Sequence, residues 1–209
     1  MFTGIIQSIG SVTAISSVAD GARLSIDLKQ LDLERIRLGD SIAVNGACLT
    51  INRLEQNIVH FDVSSETLAT CLMGGWQADD WVNLELALTL QTPIGGHLLS
   101  GHIDGTAKLV NRQDRQGFAV MRFETERAIG KFIAVKGSVA IDGVSLTTNK
   151  VTDSDHRTQF EIMLVAHTLE RTTLGKLEKN SRVHVEVDQV ARYIQRLSEC
   201  VENQDVEPI

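Results

Sequence analysis

Apolar and polar residues alternate with a period of two along much of this chain. The segments 23–28 and 82–88 are clear examples, because every second residue in each is a large apolar one. This period places alternate side chains on one face of a strand, so it predicts half-buried β-strands. The dipeptides Asn45-Gly46 and Asp142-Gly143 lie between such segments and favour tight turns with positive φ. The sequence therefore predicts a β-hairpin at both places.

The same sequence pattern occurs twice in the chain. Residues 38–52, LGDSIAVNGACLTIN, align without a gap on residues 135–149, VKGSVAIDGVSLTTN, and six of the fifteen positions are identical. At the same offset of 97, residues 3–6 align on residues 100–103. A repeat of this length is typical of a duplicated domain rather than of a solenoid unit. The predicted domains are the halves 1–96 and 97–188 and a C-terminal segment 189–209.

The number and spacing of the predicted elements indicate the fold class. Each half ends on a matching strand, WVNLE at 81–85 and RVHVE at 182–186, after a four-residue insertion in the second half. Several short strands with few helices favour closed barrels, because closure removes exposed sheet edges. The predicted fold class is all-β, with two homologous small closed β-barrels of the Greek-key type plus a C-terminal α-helix. Short helices are predicted at Leu31–Arg37, Glu66–Met73, Glu126–Phe132 and Thr168–Leu174.

The C-terminal segment has a helical period. Val190, Ile194, Leu197 and Val201 are spaced by four, three and four residues, which is the apolar stripe of an amphipathic helix. An isolated helix of this length is marginal in water, so the stripe must pack on its own barrels or on another subunit. Self-association is the hypothesis we prefer. The acidic residues 202–209 are predicted to fray.

Composition and charge narrow the function classes. The chain has 20 Lys and Arg against 27 Asp and Glu, and its net charge of −7 disfavours nucleic acid as a partner. No apolar run approaches the roughly 20 residues that cross a bilayer, and the first residues do not resemble a signal peptide. Three cysteines leave one unpaired in any disulfide scheme, which favours the cytoplasm. The chain lacks zinc-type spacings, nucleotide-binding loops and the nucleophile elbow of hydrolases, so we predict no metal and no cofactor.

The two halves differ at polar positions, so the duplicated domains predict two similar pockets of unequal chemistry. A thiol is reactive when its surroundings lower its pKa, and a histidine pKa of about 6.5 suits proton transfer. Each residue also has a structural interpretation: Cys48 as a small buried side chain, His102 as a backbone-bonded imidazole, and Asp142 as a turn residue. His97 follows two glycines that we interpret as an interdomain bend. Four aligned pairs carry the difference: Cys48 and Ser145, Asn45 and Asp142, Ile5 and His102, Gly39 and Lys136.

Five segments carry a family resemblance, in order and in both halves: MFTGI (1–5), VNGACLT (44–50), GGHLLSGHIDG (95–105), IDGVSLT (141–147) and TLERTTLG (168–175). Together they resemble the riboflavin synthase family. The resemblance implies a homotrimer of two-barrel subunits joined by the C-terminal helix, with active sites between barrels of different subunits. It also implies a cofactor-free dismutation, in which two molecules of 6,7-dimethyl-8-ribityllumazine give riboflavin and 5-amino-6-(D-ribitylamino)uracil. Association with lumazine synthase, the preceding enzyme, is a further partner hypothesis.

The resemblance also implies the site residues. His102 with Thr147 would transfer the proton of the C7 methyl group, and Cys48 with Ser41 would bind or activate the second lumazine. Ser145 and Asp142 are further catalytic candidates, and Phe2 would pack on the ring. The implied pocket of the first half contains Gly4, Ile5, Ile6, Cys48, Leu49, Thr50, Asp62, Val63, Ser64, Ser65, Glu66 and Thr67. The implied pocket of the second half contains Gly101, His102, Ile103, Lys136, Ser145, Leu146, Thr147, Val165, Ala166, His167, Thr168, Leu169 and Glu170.

Two other function classes compete with the enzyme. A non-catalytic lumazine- or flavin-binding antenna protein needs only one good pocket and would be free to lose Cys48 and the polar residues of the second half. A structural module for protein partners accounts for the repeat and the helix but leaves those polar differences unexplained. Ligand stoichiometry separates the three, with two lumazines per subunit for the enzyme, one for the antenna and none for the module.

Overall fold

The alternating segments form two closed barrels of six antiparallel strands each, in a computed structural model that describes residues 1–202. The predicted all-β fold class is confirmed. The first barrel contains β1 (Ser8–Val18), β2 (Gly21–Asp27), β3 (Ser41–Val44), β4 (Ala47–Glu55), β5 (Ile58–Ser64) and β6 (Trp81–Leu86). The second contains β7 (Gly105–Arg115), β8 (Phe118–Glu126), β9 (Ser138–Ile141), β10 (Val144–Asp153), β11 (Arg157–Val165) and β12 (Arg182–Val187).

Both barrels have the same Greek-key topology. Around the first barrel the strand order is β1-β2-β5-β4-β3-β6, so β3, β4 and β5 are hairpin neighbours and β6 returns beside β3. The second barrel repeats this arrangement with β9, β10, β11 and β12. Both hairpin turns are confirmed, since Asn45 and Asp142 each have φ 45° and are followed by glycines with positive φ.

The helices are short. Their bounds are α1 (Ser65–Thr70), α2 (Arg127–Gly130), α3 (Ala166–Arg171) and α4 (Gln189–Glu202). Single 3-10 turns occupy Leu33–Arg35, Met73–Gly75 and Thr173–Lys176. Where a helix is predicted at 31–37, the structure therefore has only a 3-10 turn. The helices predicted at 66–73 and 168–174 are interrupted, because Cys71 and Thr172 adopt extended backbone conformations that end α1 and α3.

Helix α4 confirms the amphipathic helix at the C-terminus. The Asp188 carboxylate caps it by accepting a hydrogen bond from the Val190 N–H, at 3.0 Å. Val190, Ile194 and Leu197 are 58%, 59% and 66% exposed, so their stripe does not pack on the barrels. Among the described residues, no helix is both long and apolar enough to cross a membrane. Fraying is predicted for residues 202–209; residue 202 is the last of α4, and 203–209 lie outside the residues that the structure describes.

The barrels meet around a pseudo-twofold axis that relates residues 97 positions apart. Phe2 and Leu99, one such pair, form an antiparallel bridge with hydrogen bonds of 2.8 and 3.0 Å. Both are buried in a third apolar cluster, together with the equivalent alanines 43 and 140. The two hairpin glycines also touch, and a Cβ at Gly46 would lie 2.8 Å from the nitrogen of its equivalent. The interface is therefore built from the repeated residues themselves.

A buried polar network flanks this axis. Leu72 N–H donates to Nε2 of His184 at 2.7 Å, so the ring proton is on Nδ1, which donates to Asn45 O at 2.8 Å. His184 N–H donates to Oδ1 of Asp142 at 2.7 Å. Burial lowers the pKa of His184 to about 4 and raises the pKa of Asp142 to about 7. The equivalent positions in the first half are Asn83 and Asn45, which are neutral.

Asp142 was a predicted catalytic residue, and the structure places it in this interface instead. Its side chain is buried, and its Oδ1 bonds to the backbone of β12. Asn45 makes the equivalent bond, accepting from Asn83 N–H at 2.7 Å. The aspartate therefore has a structural position that its first-half counterpart fills without charge.

We expect Asp142→Asn to raise the melting temperature more at pH 8 than at pH 5, because the folded-state pKa of Asp142 is about 7 against an ordinary 3.8. The raised pKa stabilises the wild type fully below about pH 4, and this contribution is lost as the pH rises through about 7. Differential scanning calorimetry at both pH values measures the effect. Asp20→Asn, at an exposed turn, is the control. An Asp142→Asn shift that is equal at both pH values would contradict the assignment.

Candidate active site

Each half begins with a segment that packs on the opposite barrel. Gly4 O accepts a hydrogen bond from Ser145 N–H at 2.9 Å, and Gly101 O accepts one from Cys48 N–H at 2.8 Å. Ile6 packs against the core of the second barrel, and its equivalent residue 103 packs against the core of the first. The sequence predicts residues 4–6 in the first pocket and 101–103 in the second. The structure reverses this assignment, because both segments cross the interface before their barrels begin.

A buried glutamate holds each crossing segment. Glu186 Oε1 accepts from the N–H and hydroxyl of Ser100, at 2.7 and 2.6 Å, and Oε2 accepts from Gly101 N–H at 3.1 Å. Glu85 makes the equivalent bonds to Thr3 and Gly4, at 2.7, 2.7 and 3.0 Å. Burial raises the pKa of both carboxyls, and these hydrogen bonds oppose the rise. The two glutamates were not predicted, although the matching strands WVNLE and RVHVE repeat them at the same position.

The first pocket is a cavity of about 420 Å³ beside β4 and α1. It brings together the predicted thiol and imidazole, since Cys48 and His102 both line it. Arg192 Nη2 donates to the carbonyl of His102 at 2.8 Å. The lining residues are Ala47, Cys48, Glu66, Thr67, Thr70, Cys71, Gly101, His102 and Ile103.

Other predicted residues of the first half lie on either side of the barrel wall. Ser41 pairs with Thr50, and both share the outward face of their strands with Cys48, because side chains alternate along a strand. Leu49 and Val63 point inward and are buried in the barrel core, so their side chains do not reach the pocket.

The segment around α1 has structural contacts of its own. Ser64 Oγ accepts from Thr67 N–H at 3.2 Å and caps α1, whose first residue is Ser65. Asp62 is exposed and forms an ion pair with Arg23 at 3.4 Å. The pocket therefore takes only Glu66 and Thr67 from the predicted segment 62–67.

The equivalent position in the second half pairs a hydroxyl with an imidazole. Ser145 Oγ lies 2.7 Å from Nδ1 of His97. Burial lowers the pKa of His97, and the charge of Asp188 opposes this, so the neutral ring is favoured. A neutral Nδ1 can accept the serine proton, which is the arrangement of an activated hydroxyl nucleophile or acid–base pair. The buried Nε2 of His97 has no hydrogen-bond partner among residues 1–202.

His97 is absent from the predicted site, because the sequence predicts only a bend at its two preceding glycines. A Cβ on Gly96 would lie 2.7 Å from Ser145 Oγ, so this glycine allows the close approach of the chain to the serine. A histidine directly after a glycine pair, in a segment shared with the family resemblance, was the available signal.

The remaining second-half candidates are spread around the barrel. Thr147 shares the outward face of β10 with Ser145, and Leu146 packs against the second core. Lys136 is exposed with φ 66°, and its equivalent Gly39 has φ 88°, so both occupy the same left-handed turn. Val165, Ala166 and His167 are exposed at the start of α3, Thr168 and Leu169 are half-buried, and His167 and Glu170 border a separate groove of about 720 Å³ with Ile6.

Within residues 1–202, no three His, Cys, Asp or Glu side chains cluster closely enough to hold a metal ion. The arrangement instead offers one pocket with a thiol and an imidazole, and a hydroxyl–imidazole pair at the equivalent strand of the second barrel. Fold and site thus define a class of two-barrel proteins with a small-molecule pocket beside the first barrel and a related polar pair on the second.

Comparisons with known proteins agree with this class. The sequence profile of the lumazine binding domain matches residues 3–87 and 100–188. The riboflavin synthase of Brucella abortus is 40% identical over 204 residues, covering 95% of this chain and 98% of that protein. The riboflavin synthase of Photobacterium phosphoreum is 39% identical over 197 residues, covering 94% and 88%. The crystal structure of LumP complexed with riboflavin matches with a TM-score of 0.81 and 28% identity, covering 90% and 99%. The chain therefore belongs to the riboflavin synthase family.

We expect Gly101→Ala to destabilise the protein far more than Gly39→Ala. Both glycines have positive φ, which costs an alanine roughly 1 kcal/mol. A Cβ at Gly101 would also lie 2.5 Å from the Cβ of Cys48, whereas a Cβ at Gly39 would meet nothing within 4 Å. Urea unfolding of both variants measures the difference. Equal losses would show that the 101 segment does not pack on Cys48 as described.

Proposed function

We propose that this protein is a riboflavin synthase that converts two molecules of 6,7-dimethyl-8-ribityllumazine into riboflavin and 5-amino-6-(D-ribitylamino)uracil. The observation that carries the proposal is the pair of equivalent but unequal polar sites, with Cys48 and His102 lining a pocket at the first barrel and Ser145 bonded to His97 at the second. A dismutation needs two copies of one compound held in unequal roles, and positioning them supplies much of the rate. The two halves of this chain offer such unequal sites.

The residues present can perform the proton transfers of this reaction. A base removes a proton from the C7 methyl group of one lumazine, and the resulting carbanion attacks the other lumazine. The second molecule is made electrophilic by addition of water or a side chain at its own C7. A four-carbon unit then passes from donor to acceptor, so no external oxidant or cofactor is required. We assign proton transfer to His102 with Thr147, and binding or activation of the partner lumazine to Cys48 with Ser41.

The Ser145–His97 contact extends this assignment to the second pocket. Because its pKa is lowered, His97 is a neutral base for the Ser145 hydroxyl at 2.7 Å. The pair can therefore donate and accept a proton next to a ligand held by the second barrel.

The antenna alternative is not favoured. Relatives named riboflavin synthase share 39% and 40% identity with this chain, against 28% for LumP complexed with riboflavin and 27% for LumP complexed with 6,7-dimethyl-8-(1'-D-ribityl) lumazine. The chain also carries polar side chains at both pockets, which a protein with one resting ligand would not need.

We further propose a cytoplasmic homotrimer joined by α4. The free thiols of Cys48, Cys71 and Cys200 support a reducing compartment. The exposed stripe of α4 supports self-association, since an apolar helix face in water is unfavourable. In such a trimer the first pocket of one subunit faces the second pocket of a neighbour, so His102 and Thr147 act across the subunit boundary.

Association with lumazine synthase stays a prediction, which co-sedimentation of the two proteins would test.

We expect Cys48→Ser and His102→Gln to lower the initial rate of riboflavin formation at least about tenfold each, because each removes a group in contact with substrate. Absorbance of the product, followed without metal or nucleotide, measures the rate. Cys200→Ser and His156→Gln are the matched controls, since neither residue lines the first pocket. Near-normal turnover in both Cys48→Ser and His102→Gln would remove these residues from the mechanism.

We expect Ile194→Asp to convert the assembled protein into monomers, because it places a charge in the exposed apolar stripe of α4. Arg196→Asp, which lies off the stripe, is the control. Sedimentation velocity measures both. An Ile194→Asp variant that sediments like the wild type would exclude α4 as the contact between subunits.

A further inference from the structure

A charged contact joins the side of α4 that faces the barrels to the segment that carries His102. Arg192 Nε and Nη2 donate to the two oxygens of Asp104, at 3.1 and 2.7 Å, and Nη2 also donates to His102 O at 2.8 Å. The guanidinium therefore bridges a side chain and a backbone carbonyl two residues apart. A bidentate arginine fixes both groups in direction as well as in distance.

Comparison with the equivalent residue of the first half shows what the contact between Arg192 and Asp104 adds. Asp104 accepts from Val187 N–H at 2.8 Å, and its equivalent Gln7 accepts from Leu86 N–H at 3.2 Å. Each side chain thus ties the start of its barrel to the last strand. A neutral glutamine is sufficient for that task in the first half. The negative charge at 104 occurs in the half that is followed by α4, and it pairs with an arginine of that helix.

The segment between Ser100 and Asp104 is then held at both ends. Glu186 binds its beginning through Ser100 and Gly101, and Arg192 binds its end. His102 lies between these two attachments and has its side chain exposed at the pocket. Arg192 fixes the backbone of His102 on one side, and the hydrogen bond from Cys48 N–H to Gly101 O fixes it on the other.

We propose that Arg192 is a positioning residue, which holds His102 at the first pocket and so couples the C-terminal helix to catalysis. Residues 190 and 194 carry the exposed stripe, and 192 lies on the opposite side of the helix because successive residues are about 100° apart. One face of α4 is therefore available to partner subunits while the other holds the active-site segment.

The test compares Arg192→Met with Arg196→Met, which removes an arginine that pairs with Glu199 of the same helix, at 3.9 Å. The catalytic part rests on the proposed function. We expect Arg192→Met to assemble like the wild type and to lose kcat about tenfold with little change in KM, because misplacing a reacting group slows the chemical step. Asp104→Asn should show the same loss, since asparagine can still accept from Val187 N–H. Arg192→Lys should recover part of the rate.

Amide hydrogen exchange provides a readout that does not depend on turnover. Gly101 N–H and Asp104 N–H are bonded to Glu186 and to Val185 O. We expect both to exchange faster in Arg192→Met and not in Arg196→Met. Unchanged kcat and unchanged exchange in Arg192→Met would overturn the proposal, as would equal losses in the two arginine variants. If the wild type itself forms no riboflavin, the proposed function fails, and the exchange result alone decides the positioning.

Discussion

The arrangement of both pockets depends on two backbone hydrogen bonds that cross the barrel interface. Cys48 N–H bonds to Gly101 O, and Ser145 N–H bonds to Gly4 O, so the strand that carries each nucleophilic side chain is tied to the opposite half. The glycines adopt left-handed conformations there, and buried carboxylates hold their amides. A single barrel would lack the segment that closes its own pocket. In this chain each half supplies that segment to the other.

The pseudo-twofold axis explains how two similar pockets can differ in chemistry. Where the two backbones touch, the paired residues are identical or apolar, as with Gly46 and Gly143, because the chains must approach closely. Beside them the differing pair Asn45 and Asp142 fits the same interface, since each accepts a backbone N–H of the last strand of its own barrel. The first pocket combines Cys48 with His102 of the crossing segment. At the second, Ser145 bonds to His97, which lies before that segment and has no equivalent in the first half. Reactions that treat two copies of one molecule differently need this kind of broken symmetry.

Local patterns predicted the elements, and they could not predict how the chain crosses between the barrels. A period of two and the Asn-Gly and Asp-Gly turns are properties of neighbouring residues, so the hairpins followed from sequence. Residues 4–6 and 101–103 each pack on the opposite barrel. This packing depends on how the two barrels are oriented, which no local spacing encodes. The interface position of Asp142 is unpredictable for the same reason, since the polarity of a turn residue does not reveal its burial. Glu85 and Glu186 could have been predicted, because a charged residue repeated within matching apolar strands indicates a buried partner.

The central claim is that this protein carries out the dismutation of lumazine. The ratio of riboflavin formed to lumazine consumed tests it most directly. Purified protein is mixed with 6,7-dimethyl-8-ribityllumazine, without metal or nucleotide, and both the lumazine consumed and the riboflavin formed are quantified by chromatography. Dismutation requires one riboflavin for every two lumazines consumed, together with an equal amount of 5-amino-6-(D-ribitylamino)uracil. Lumazine that stays bound and unchanged on well-folded protein would contradict the enzyme and favour a protein that only binds its ligand.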